Sequence, residues 1–112
     1  MTALEVWTPV CALTALIPGR GVAALLANDE QVAIFLTADG TVHALSNVDP
    51  FSGAAVLSRG LVGDLGGVPV VASPMHKQHF DLTTGSCVDD PAVSVAVYPV
   101  RVEGGTILVG RP

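Results

Sequence analysis

Charge is what this chain has least of: 13% of its residues are Asp, Glu, Lys or Arg, where soluble domains carry about 25%. So few charges cannot cover the outside of a folded domain, which implies apolar surface shared with a partner. Basic residues are scarcer still. The five of them, Arg20, Arg59, Lys77, Arg101 and Arg111, stand singly along the sequence, so no cationic patch is on hand to neutralise phosphates. With ten acidic residues and a net charge of −5, neither nucleic acid nor an anionic membrane surface is an expected partner. Long apolar runs are missing too, although mean hydropathy is +0.59. The longest stretch free of Asp, Glu, Lys and Arg is Val6–Gly19, fourteen residues broken by Pro9 and closed by Pro18. A spanning helix needs about 20 apolar residues, so no membrane span is expected. Cysteine is limited to Cys11 and Cys87, too few for a disulfide framework. The segment Met1 to Glu5 holds an acid and no basic residue, which argues against a signal peptide. Two free thiols in a reducing cytoplasm are the expectation.

The 112 residues, half of them apolar, amount to one average domain, 1–112, with a single fold. Short runs rich in Val, Ile and Thr alternate with turn signals, the pattern of an all-β sandwich or barrel. Strands are expected near Leu4–Pro9, Val10–Leu13, Val22–Asn28, Gln31–Thr37, Thr41–Ser46, Leu61–Leu65, Pro69–Ala72, His79–Asp81, Val95–Glu103 and Thr106–Gly110. Asp39-Gly40 and Gly104-Gly105 between apolar runs predict hairpin turns. Pro99 within the Val95–Glu103 run implies an edge position or a bulge, because proline cannot donate to a ladder. Helical periodicity is confined to what Ala54–Ser58 and Asp90–Val93 could hold, a single turn each. The architecture expected is several small antiparallel sheets packed together.

Reactive constellations are sparse. Three histidines, His43, His76 and His79, stand among many serines, but no strained elbow such as G-x-S-x-G presents a nucleophile. Gly63-Asp-Leu-Gly66-Gly67 lacks the Lys-Ser/Thr pair and the helix of a phosphate loop. His76-Lys-Gln-His79 supplies half of a metal site, where zinc takes three or four ligands. The expected role of this segment is an exposed polar loop, and that of His43, in a strand beside apolar neighbours, is structural.

Two segments change the reading. Ser46-Asn-Val-Asp49-Pro-Phe51-Ser-Gly-Ala54 follows a strand directly, and Ser73-Pro-Met-His76-Lys-Gln-His-Phe-Asp-Leu-Thr-Thr-Gly85 lies further on. Together they resemble the two cluster-binding loops of Rieske proteins, one carrying C-x-H and the other C-P-x-H followed by F-D-x-x-T-G. Pro74, His76, Phe80, Asp81, Thr84 and Gly85 all fall in place on the second. Laid on that pattern, Asp49 and Ser73 stand in the cysteine slots, Phe51 in one histidine slot, and His76 alone keeps a ligand type. A Rieske centre takes two thiolates and two imidazoles, so the resemblance implies a Rieske-like fold whose cluster-ligand slots have degenerated.

From about Val6 to Val109 the chain is similar to the small subunit of NAD(P)H-dependent assimilatory nitrite reductase. Asp49-Pro-Phe-Ser and Ser73-Pro-x-x-Lys-Gln-His-Phe-Asp-Leu are the stretches specific to it. That resemblance implies a cytoplasmic accessory subunit, without cofactor, metal or catalytic residue of its own, of a complex reducing nitrite to ammonium. It also implies a large subunit as partner, carrying FAD, the NAD(P)H site, an iron–sulfur cluster and sirohaem. Two alternatives are a Rieske-type ferredoxin carrying electrons, which needs four cluster ligands, and a domain binding a small ligand in the vacated cluster pocket. If the loops keep the family's geometry, the Ser73 hydroxyl should meet the Asp49 carboxylate, the Phe51 ring should fill the space a metal would take, and His76 should lie close to Phe51. The loop tips, with apolar Pro50, Phe51, Pro74 and Met75 and a polar rim of Lys77 and His79, are then the expected interface.

Overall fold

Glycines and aspartates at the turns cut this chain into short strands, and the sheets they form decide where the two loops meet. A computed structural model describes residues 7–26, 29–75 and 77–110. In chain order the strands are β1 (Thr8–Ala12), β2 (Gly21–Leu25), β3 (Gln31–Leu36), β4 (Val42–Ser46), β5 (Leu61–Leu65), β6 (Val68–Ala72), β7 (His79–Asp81), β8 (Val97–Tyr98), β9 (Val100–Glu103) and β10 (Thr106–Val109). Among the described residues they make three antiparallel sheets, ordered β1-β10-β9, β2-β3-β4-β8 and β5-β6-β7. The only helical pieces there are single 3-10 turns at Leu13–Ala15 and Leu57–Arg59.

The four-stranded sheet is the middle layer. Strand β3 is buried from Val32 through Phe35, a continuous apolar run where a one-sided antiparallel strand would alternate. Its side chains divide by parity. Val32 and Ile34 join Tyr98, Ile107 and Val109 in one core cluster, while Ala33 and Phe35 join Leu45, Val71 and Phe80 in another. The β1-β10-β9 sheet therefore covers one face and the β5-β6-β7 sheet the other. Truncating a fully buried aromatic such as Phe35 or Phe80 to alanine would cost about 3–5 kcal/mol.

Most expected elements are present, with informative differences. The expected strands at Leu4–Pro9 and Val10–Leu13 are one strand, β1, with a bulge between Pro9 and Cys11; residues 1–6 lie outside the described set. The end of the Val22–Asn28 expectation at residues 27 and 28 lies outside it as well. The Val95–Glu103 run breaks at Pro99. Strand β8 before it pairs with β4, whereas β9 after it pairs with β10. Proline thus marks the point where the chain changes sheets, and its carbonyl still accepts from the Gly110 N–H at 2.9 Å. The turn expected at Ala54–Ser58 forms later, at Leu57–Arg59.

Strand direction sorts the connections into two ends. Strand β4 runs away from the Ala38-Asp39-Gly40 turn and ends at Ser46, and β6 runs away from Gly66-Gly67 and ends at Ala72. The loops that follow these two strands emerge together, opposite the two hairpin turns.

Candidate functional site

The first loop is closed by its own backbone and by one buried side chain. Asp49 N–H donates to the Ala54 carbonyl at 2.8 Å, and Gly53 N–H returns to the Asp49 carbonyl at 2.7 Å. Asn47, almost fully buried, ties the loop inward: its amide donates to the Ala55 carbonyl at 3.2 Å and accepts from Ser58 N–H at 2.7 Å. The second loop closes through Ser73 N–H to the Gln78 carbonyl at 2.8 Å and Lys77 N–H to the Ser73 carbonyl at 2.9 Å. Lys77 has φ 61°, the left-handed region that a tight turn demands.

Between the loops lies a buried polar contact. The Ser73 hydroxyl donates to Oδ2 of Asp49, and both residues are essentially inaccessible to solvent. The other carboxylate oxygen, Oδ1, accepts the Phe51 N–H at 2.8 Å. Each oxygen of a desolvated carboxylate thus has a donor, which is the condition for burying it at tolerable cost. The Ser73 oxygen also accepts from Met75 N–H at 3.3 Å. The two residues in the cysteine slots are therefore bonded to one another.

Phe51 is both packed and displayed. Its ring tilts against Phe80, centroids 6.2 Å apart at 48°, yet 36% of the residue remains exposed. Beside it, Pro50, Pro74 and Lys77 are exposed, and Met75 is 50% exposed. His76 lies outside the described residues, and with it the expected Phe51–His76 approach. His79 is not a free rim group: its N–H donates to Oδ2 of Asp89 at 2.7 Å, and its ring Nδ1 lies 3.3 Å from the same oxygen. That backbone N–H, first among the causes, holds the Asp89 carboxyl below its usual range.

Neither thiol is placed among the slot residues. Cys11 sits on β1, with burial pushing its thiol up, and Cys87 is buried in the core beside Phe80. The slots thus present a hydroxyl and a carboxylate already bonded together and a phenyl ring. This donor set does not fit a cluster that takes two thiolates and two imidazoles. Sequence reasoning missed Asn47, whose place at a strand end before a turn was its only signal, and Asp89, ten residues from its partner His79. It also missed Leu61, at 77% the most exposed large apolar side chain among the described residues, at the start of edge strand β5 beside Ala72.

The fold and these loops have counterparts. The profile of the Rieske-like [2Fe-2S] domain matches residues 6–110, and the chain belongs to that family. Within it, the chain falls among the small subunits of NAD(P)H-dependent nitrite reductase, whose partner is a large subunit. It is 45% identical over 102 residues to the NADH nitrite reductase small subunit of Escherichia coli K12, covering 90% of this chain and 94% of that one. A crystal structure assigned as an NADH-dependent nitrite reductase small subunit from Mycobacterium tuberculosis is 59% identical and superposes with a TM-score of 0.94 over 98% of both chains. A 105-residue stretch of the nitrite reductase [NAD(P)H] large subunit of Klebsiella oxytoca is 43% identical to 94% of this chain while making up 11% of that protein. No helix among the described residues is long and apolar enough to cross a membrane.

Proposed function

We propose that this chain serves its large subunit as a cluster-free docking domain in cytoplasmic nitrite assimilation. On this reading it contributes no catalytic residue. FAD, the NAD(P)H site, the iron–sulfur cluster and the sirohaem that take nitrite to ammonium belong to the large subunit. The observation that carries the reading is the buried hydrogen bond from Ser73 to Asp49. It replaces a metal as the link between the two loops, and with Phe51 against Phe80 it gives the loops a rigid shape.

What the loops then offer is a surface. Pro50, Phe51, Pro74 and Met75 form an apolar centre with Lys77 and the paired His79 at its margin, the arrangement of an interface with a dry core and a polar rim. Burying an exposed Met or Phe is worth roughly 1.5–3 kcal/mol each. Co-purification of tagged variants with the large subunit tests the assignment. Met75→Asp and Lys77→Glu should each reduce recovery of the complex while leaving the melting temperature of the isolated domain unchanged. Wild-type recovery from both would place the docking face elsewhere.

A further inference from the structure

At the end of the molecule opposite the loops, the middle sheet and the β5-β6-β7 sheet part to leave a cleft of about 630 Å³, within the usual size range of a ligand site. Pro18, Val62 and Pro69 supply apolar walls, and Asp39, Asp64 and His43 supply polar groups. No lysine or arginine lines it, and among the described residues neither carboxylate has an ion-pair partner. The Thr37 hydroxyl first, and then the Thr41 N–H, hold the Asp39 carboxyl below its usual range. Burial of the His43 imidazole, opposed by Asp39, the Leu82 backbone and Asp81, holds it below its ordinary value. Burial thus favours the neutral form of the imidazole, which does not compensate the two acids.

We propose that this cleft binds a cationic group, a guanidinium or ammonium on a short apolar stem. The carboxylates of Asp39 and Asp64 would take the charge, and Pro18, Val62 and Pro69 would take the stem. Anionic ligands, nitrite and nucleotide phosphates included, are disfavoured by the same two acids. The cleft is separate from the loop tips, so it can be filled while the loops are docked.

The probe is N-acetyl-L-argininamide, titrated into the 112-residue protein and followed by amide chemical shifts. Saturable shifts at Thr41, His43, Gly63 and Thr83 are expected, with the neutral citrulline analogue binding about tenfold or more weakly because charge-assisted hydrogen bonds are lost. Asp64→Asn, which removes one of the two charges lining the cleft, should weaken binding clearly, as should Thr83→Lys, which supplies an internal ammonium. The same titration on the assembled complex separates the two sources of such a cation. Probe still binding points to a free amine or guanidine, and probe excluded points to a basic side chain of the large subunit. No saturable shifts at the cleft, equal affinity for the citrulline analogue, or binding unaffected in both variants would overturn the proposal. None of these outcomes touches loop-tip docking, which Met75→Asp tests separately.

Discussion

The Ser73 hydroxyl donates to the Asp49 carboxylate across two loops 24 residues apart in sequence, with both side chains out of reach of water. A hydrogen bond to a charged group is worth about 1.5–3 kcal/mol, and leaving one partner buried alone costs about as much. Asp49→Ala also strips the Phe51 N–H of its acceptor, so it should be the more damaging of the two single substitutions. Urea unfolding of Asp49→Ala, Ser73→Ala and the double variant should give a coupling energy of about 1 kcal/mol or more. Strictly additive losses would show that the bond contributes nothing.

Gly85 ends the Phe80-Asp-Leu-Thr-Thr-Gly stretch with φ 79°, and a Cβ there would lie 2.2 Å from the Val95 carbonyl oxygen. Gly40 has a similar φ of 88° with open space around it. Left-handed strain alone costs an alanine about 1–3 kcal/mol. Gly85→Ala should therefore lower the unfolding midpoint clearly more than Gly40→Ala, and equal losses would mean that the close approach to Val95 relaxes freely.

Burial lowers the pKa of His43 below its ordinary 6.5, so between the two values the unfolded chain binds a proton that the folded one does not. Stability from this group is fully present above about pH 6.5 and declines as pH falls toward the folded value. The lowered carboxyls of Asp39 and Asp89 add a second decline below their ordinary 3.8. Thermal melts of His43→Gln should show a shallower loss between pH 7 and pH 5 than wild type. An identical pH profile would contradict the burial of this imidazole.

Turn chemistry and strand runs made the fold legible before any coordinates. Leu61–Leu65 and His79–Asp81 form as expected to the residue, the first because Gly60 and Gly66 bound it directly. The sheet change at Pro99 was not legible. Proline announces a missing donor but not which strands lie on either side of it. In the candidate site, the pairing of Asp49 with Ser73 followed from the loop motifs, since slots that face a common metal must also face each other. The restraint of His79 by Asp89 could not be read, because it depends on how the segment after Cys87 folds back to pair Val88 N–H with the His79 carbonyl. Asn47 was hidden for another reason: its two bonds reach Ala55 and Ser58, and no spacing rule links them.

These loops are held by a hydrogen bond where the [2Fe-2S] cluster of the Rieske family would sit. Iron analysis and a visible spectrum of the protein, produced anaerobically in cells assembling iron–sulfur clusters, test it most directly. A colourless protein with iron far below one atom per chain is expected. Near-stoichiometric iron with visible absorption would contradict it.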